Sequence, residues 1–189
     1  MKKRKIILVT LAAVLFTSSL AGCGKSEKAD QQNKQAQEAA AEAEPNHEAE
    51  KYFESIETSN TIEEINGIIG FEAEKNEYKE EYKWKFEDET SIVANMTAGD
   101  MTLGLNFKKE AYANDKVDLS CYYDIEEALE SGTSFTYEEM VEKVGGEAGI
   151  LAGKTSTSKR YSWVDKHHVV FSATFSDNLE GRCSIISMR

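Results

Sequence analysis

The chain has 189 residues, of which 34 are acidic and 22 are basic, and its formal net charge is −12 at pH 7. Apolar residues make up 40% of the chain, enough for one domain with a buried core. The excess of acid argues against nucleic-acid binding and against electrostatic adsorption to anionic headgroups.

The N-terminal segment has the three parts of an export signal. Lys2 to Lys5 are basic, Ile6 to Phe16 form an apolar run too short to span a bilayer, and small residues lead to a cysteine. The order Leu20-Ala21-Gly22-Cys23 resembles the bacterial lipoprotein box, which implies cleavage before Cys23 and acylation of its thiol, for example with palmitate. Two or three acyl chains anchor a protein firmly, whereas one chain does not. The alternative is an ordinary secreted protein with a chance cysteine.

Residues 23–47 are predicted to be the acylated cysteine and a flexible tether. Loss of residues 1–22 removes four basic residues and no acid, so 18 basic and 34 acidic residues remain and the net charge becomes −16. Residues 34–44 contain no large apolar side chain, so they cannot bury a core. At roughly 5–6 Å × √n, a tether of about 25 residues holds the domain a few nanometres from the membrane.

The rest of the chain is predicted to be one α+β domain with an internal repeat. Residues 61–74 align with residues 136–149, and Tyr82-Lys83-Trp84 aligns with Tyr161-Ser162-Trp163. In both segments a threonine stands three residues before a glutamate, the capping-box pattern, and apolar residues follow at helical spacing. We therefore expect tandem repeats at 48–122 and 123–189, each a helix-loop-helix packed on an antiparallel β-sheet.

Alternation of apolar and polar residues predicts the strands. One apolar face and one polar face per strand indicate an antiparallel sheet with helices on one side. The helices are expected near 48–57, 62–69, 124–130 and 137–144, and the strands near 78–86, 91–97, 102–107, 116–123, 150–155, 160–164, 168–175 and 182–187.

The second repeat resembles a known family. Its segments Thr136–Glu139, Val144–Gly149, Tyr161–Trp163 and Val170–Asn178 are similar to the repeat of the beta-lactamase-inhibitor-protein-like (BLIP-like) lipoproteins. The resemblance implies a helix-loop-helix on a four-stranded sheet, in one or two copies, and a role in protein recognition. The first repeat departs from the pattern because Phe71 replaces the second glycine. The binding loops of the inhibitor cannot be matched here, so no binding residue is transferred.

Four aromatic residues are candidates for partner binding, because aromatic anchors often supply most of the energy of a protein interface. They are Tyr82, Trp84, Tyr161 and Trp163. The alternative is that they pack as core beneath the helices, which is the commoner position of large aromatic side chains on an alternating strand. The four side chains are binding candidates if they lie on the exposed face of the sheet, and core residues if they lie on the face covered by the helices.

The sequence contains no pattern that predicts catalysis, a cofactor or a metal site. His167 and His168 are neighbours, so in a strand they would point to opposite faces and could not share a metal ion. Cys121 and Cys183 are either a disulfide, as is common in exported proteins, or two small buried apolar residues.

The sequence therefore predicts a membrane-anchored, extracytoplasmic lipoprotein that binds a protein and is not an enzyme. Its expected partners are membrane lipid, through Cys23, and an unidentified protein, with no nucleic acid. The alternative is a structural or envelope-assembly lipoprotein, similar to the small outer-membrane factors of Gram-negative bacteria. The acidic, lysine-rich and proline-poor composition indicates a Gram-positive source, which has no outer membrane and so counts against that alternative.

Overall fold

The computed structural model describes residues 47–189, which form four α-helices and one antiparallel sheet of eight strands. Strands that are consecutive in the chain are neighbours in the sheet. The helices are α1 (Glu48–Ser55), α2 (Ile62–Ile69), α3 (Tyr122–Glu130) and α4 (Tyr137–Lys143). The strands are β1 (Glu74–Lys75), β2 (Glu81–Lys85), β3 (Ser91–Thr97), β4 (Asp100–Asn106), β5 (Ile150–Lys154), β6 (Ser158–Val164), β7 (Val170–Ser176) and β8 (Arg182–Met188).

Helices α2 and α4 begin at the capping boxes that the sequence predicts. The backbone N–H of Glu64 donates to Thr61 Oγ1 at 3.2 Å, and the N–H of Thr61 donates to the Glu64 carboxylate at 2.8 Å. Thr136 and Glu139 form the same two bonds at the same two distances. Each box satisfies backbone donors that a helix start leaves without partners.

The register of the strands gives the sheet one face covered by helices and one open face. Trp84 lies opposite Ile92, which lies opposite Leu105, and all three pack with side chains of α1 and α2. In the other half of the sheet, Trp163 lies opposite Phe171, and both belong to a core that α3 and α4 complete. The strand positions between these core residues point the other way, to what we call the open face. Four of these positions in β6 and β7 are nevertheless buried, at Ser162, Val164, Val170 and Ser172.

The predicted strand at 116–123 is wrong. Residues 116–121 form turns and irregular backbone, and α3 begins at Tyr122, next to the expected boundary between the repeats. The carboxylate of Asp118 accepts the N–H of Ser120 at 2.9 Å, a local bond that favours a turn over a strand. Val117 is buried in the core beneath α3 and α4, so its apolar character reflects packing and not strand alternation.

Two other strands begin later than predicted. The strand expected from residue 78 begins at Glu81, because Asn76 Oδ1 accepts the N–H of Tyr78 at 3.0 Å in a turn. The strand expected from residue 168 begins at Val170, since His168 has a φ of +65° that a strand does not allow. The two-residue strand β1, which pairs with β2, was not predicted.

Candidate functional site

Both tryptophans that were candidates for partner binding lie in the core. The exposed fractions of Trp84 and Trp163 are 0% and 2%. The indole N–H of Trp84 donates to Asn66 Oδ1 at 2.9 Å, and that of Trp163 donates to the carbonyl of Glu147 at 2.8 Å. Each indole is therefore buried with its polar atom satisfied, and neither is available to a partner while the domain is folded.

The two candidate tyrosines share the covered face with the tryptophans. Tyr82 lies opposite Ala94, and Tyr161 lies opposite Ala173, both of which are core residues. The ring of Tyr161 lies 4.4 Å from that of Tyr137, and burial raises the pKa of Tyr161. Both tyrosines are partly buried at the margins of the cores, so none of the four aromatic candidates lies on the open face.

The cysteines are free thiols in the structure. Cys183 is buried in β8, and Cys121 stands directly before α3 instead of at the end of a strand. The thiol of Cys121 donates to the carbonyl of Lys143 at 3.3 Å. Burial raises the pKa of both thiols, which disfavours the thiolate and therefore lowers their reactivity.

The open face is lined mainly by short polar side chains. In β3 to β8 it carries serine, threonine, asparagine, glycine, valine and isoleucine, together with Arg160 and Arg182. The acid among these strand positions is Asp100, at the β3–β4 turn. The scarcity of acidic side chains on this face contrasts with the 34 acidic residues of the whole chain. The hydroxyl groups of Ser162 and Ser172 lie 2.8 Å apart, and Asn106 Nδ2 donates to Ser91 Oγ at 3.0 Å. Ser91, Ser162 and Ser172 are buried, whereas Asn95, Thr102 and Asn106 are exposed. The face therefore carries little negative charge, and its exposed hydrogen-bonding groups lie mainly on β3 and β4.

A polar cluster joins the start of α1 to the β2–β3 turn and to the loop after β4. His47 Nδ1 lies 2.9 Å from Asp88 Oδ2, and the hydroxyl of Tyr112 donates to Glu50 Oε2 at 2.6 Å. Burial, together with Glu50, raises the pKa of Tyr112. His47 was assigned to the end of the tether, but it packs against the domain, with its ring centroid 5.3 Å from that of Tyr112. Sequence reasoning missed this cluster because its members are distant in the chain.

Lys154 is a buried cation, and no pattern in the sequence indicated a role for it. Its side chain is 5% exposed, and Nζ donates to the carbonyls of Glu54 at 3.0 Å and Ile56 at 2.8 Å. These carbonyls lie at the end of α1, where a positive charge is favourable. Lys154 therefore fastens β5 to α1, and desolvation lowers its pKa.

No group of three or more His, Cys, Asp or Glu side chains that could hold a metal ion occurs between residues 47 and 189. His167 and His168 lie in the turn after β6, where the Asp165 carboxylate accepts the N–H of His167 at 2.8 Å. Over the same residues, the helices are too short or too polar to cross a bilayer.

The export signal, Cys23 and nearly all of the predicted tether lie outside the described residues. Comparison of the chain with protein-family models, with curated proteins and with solved structures found no match.

Proposed function

We propose that the protein is a membrane-anchored, extracytoplasmic lipoprotein whose folded domain binds another protein without catalysing a reaction. The observation that carries this proposal is the open face of the sheet. With strands about 4.8 Å apart and about 3.3 Å per residue, β2 to β8 span roughly 29 Å by 23 Å. The whole face, including its buried positions in β6 and β7, is of the order of the ~800 Å² that one partner buries in a standard protein interface.

The same proposal places binding on the open face and not on the aromatic candidates. Trp84 and Trp163 are buried, so they support the face from beneath without contacting the partner. The exposed hydroxyl and amide groups of Asn95, Thr97, Thr102 and Asn106 on the open face are able to contribute to the roughly ten hydrogen bonds of a typical interface.

We also propose that residues 48–122 and 123–189 are two copies of one BLIP-like repeat. Support comes from the element order, since two helices precede four strands in each segment. The capping boxes at Thr61 and Thr136 and the buried tryptophans Trp84 and Trp163 occupy matching places in the two segments. The resemblance to the BLIP-like lipoproteins in turn favours protein recognition.

Site-specific photo-crosslinking in intact cells tests the binding proposal. A photoreactive residue is placed at Asn95 or at Thr102, which pair directly on the open face and are both exposed. Matched controls carry the same group at the exposed helical positions Glu63 and Glu127. We expect one protein to be captured from both sheet positions and from neither helical position, and to bind the purified full-length chain.

Capture of the same adducts from all four positions, or of none from the sheet, would contradict the proposal. Capture of several components of an envelope-assembly complex would instead favour the structural alternative.

The anchor is tested separately by replacing Cys23. The Cys23→Ser protein is expected to carry no acyl label and to leave the membrane fraction. A processed Cys23→Ser protein that still sediments with membranes would show that the lipoprotein assignment is wrong.

A further inference from the structure

The open face has a gap at its middle, where two glycines lie opposite each other. Gly104 in β4 pairs directly with Gly153 in β5, and β5 is the middle strand of β2 to β8. Gly104 also pairs with Val93, and Gly153 also pairs with Arg160. Because directly paired residues point to the same side, these four positions form one row across the open face, and the two central positions carry no side chain.

The guanidinium of Arg160 closes one side of this gap. Its Nη2 donates to the carbonyl of Ala152 at 3.0 Å. A Cβ at Gly153 would lie 3.3 Å from the guanidinium Cζ, Nε and Nη2 atoms, so the group lies directly over the backbone of β5. The bond to Ala152 uses one of the five N–H donors of a guanidinium, and the others remain for a ligand.

The space above Gly104 is open. An added Cβ there would meet no atom within 4 Å, so the Arg160 guanidinium stops short of it. Thr102 and Asn106 stand two residues to either side of Gly104 on the same face, and both are exposed. Strands lie about 4.8 Å apart and side chains on one face of a strand roughly 6.6 Å apart, so the opening is about one side chain wide. We call it the Gly104 depression; its floor is Gly104 and Gly153, and its walls are Val93, Thr102, Asn106 and Arg160.

The charges beside the depression are positive and have no carboxylate partner. Lys83 lies opposite Val93, so the row has one cation at each end. The ion pairs formed within residues 47–189 include neither Lys83 nor Arg160. Glu74, which also lies opposite Lys83, is paired with Lys85. The depression therefore attracts an anionic group, although the net charge of the whole chain is −12.

We infer that the Gly104 depression receives an aspartate or glutamate side chain of the protein partner, whose carboxylate binds the guanidinium of Arg160. A guanidinium and a carboxylate match in geometry and form charge-assisted hydrogen bonds. Thr102 and Asn106 border the opening with a hydroxyl and an amide, which are neutral donors. Arginines near the centre of an interface are often among the few residues that supply most of the binding energy. This inference rests on the proposed function, because it names the chemistry of the partner at the open face.

Filling the depression tests its role. The photoreactive group is kept at Asn95, which pairs with Thr102 beside the opening, and capture in intact cells is the readout. Gly104→Ala should reduce capture, and Gly104→Val should reduce it about tenfold or more, because the partner's side chain would then overpack the site. Neither variant should lower the melting temperature, since no atom lies within 4 Å of the added Cβ. Gly67→Ala is the matched control, because its Cβ also meets no atom but lies on α2, and it should capture like the unmodified chain.

Charge variants test the contact with Arg160, using the captured partner after its purification. Arg160→Gln is expected to weaken binding to the full-length chain about tenfold to hundredfold, because it removes charge-assisted bonds. Lys159→Gln removes the same charge from the neighbouring position, on the covered face, and should bind like the unmodified chain. Mass spectrometry of the crosslinked peptide should find an aspartate or glutamate in the partner. Replacing that acid by lysine should restore binding to Arg160→Glu, a rescue that only direct contact between the two charges predicts.

Capture by the unmodified chain, with equal capture by Gly104→Val and Arg160→Gln, would overturn the inference and leave the proposed function standing. Equal losses in Gly67→Ala or Lys159→Gln, or an Arg160→Glu chain that no acid-to-lysine change in the partner rescues, would also overturn it. Absence of capture by the unmodified chain would contradict the proposed function and the inference together. The Gly104 variants keep the test decisive if Arg160→Gln lowers the melting temperature.

Discussion

Replacement of Gly149 by alanine tests the packing of Trp163, the candidate whose position decides between core and interface. A Cβ at Gly149 would lie 2.7 Å from both Cε2 and Cζ2 of Trp163, well inside the 3.5–4.0 Å optimum for carbon contacts. The backbone of Gly149 cannot move easily, because its N–H donates to the Tyr137 hydroxyl at 3.0 Å. The indole of Trp163 cannot move easily either, because it is buried. The φ of Gly149 is not in the left-handed region, so the penalty is steric and not conformational.

The expected cost of Gly149→Ala is about 1–3 kcal/mol, the usual range for overpacking a core. It is measured as the change in the free energy of unfolding in urea, followed by circular dichroism on the full-length protein in nonionic detergent. In a Trp163→Phe background, where Cζ2 is missing, the cost should fall by about 1 kcal/mol, a coupling typical of residues in contact.

Gly67→Ala provides the matched control. Gly67 lies inside α2, and no atom would come within 4 Å of an added Cβ. The same substitution should therefore stabilise the protein there by about 0.5–1 kcal/mol, because alanine favours the helix. A harmless Gly149→Ala, or an equal cost with and without Trp163, would refute the position assigned to the indole.

Three further predictions concern stability. Thr61→Ala and Thr136→Ala should each lower the free energy of unfolding in urea by about 1 kcal/mol. The two losses should be similar, because the hydrogen bonds of the two capping boxes have the same lengths. Burial acts to raise the pKa of Asp88, but bonds from Thr90 and the nearby His47 outweigh it and hold the pKa below 3.8. This stabilisation is present above pH 3.8 and disappears as the pH falls through the folded-state pKa, so Asp88→Asn should lose less stability than the unmodified chain in an acid titration. Desolvation lowers the pKa of Lys154 in the folded state below 10.5. Between the folded-state and the unfolded-state pKa, the unfolded chain binds more protons, so the free energy of unfolding rises with pH. Lys154→Met should lack this rise when urea unfolding is measured at alkaline pH.

Local features of the fold could be predicted from sequence because the forces involved act over a few residues. A capping box joins Thr61 to Glu64 within one helical turn, and strand β3 was predicted at its observed bounds from alternation alone. The same alternation failed at 116–123, where a bond from the Ser120 N–H to Asp118 favours a turn. The export signal and Cys23 stay predictions, since they lie outside the described residues.

The candidate sites depended on contacts between distant parts of the chain. Periodicity placed Trp84 and Trp163 on one face of the sheet, but only packing against the helices shows that this face is the buried one. Lys154 binds a carbonyl of Glu54, 100 residues earlier, and no local pattern encodes that bond.

The face on which a charged side chain lies is decided in the same way. Only the pairing of β6, β7 and β8 puts Arg160 and Arg189 on one face, because a shift of one residue in register would send either side chain to the opposite side. The sequence by itself determined the local elements, whose hydrogen bonds close within a turn or follow the two-residue period of a strand. The tertiary structure alone decided which faces are buried and which charges meet, since both are set by packing across the whole chain.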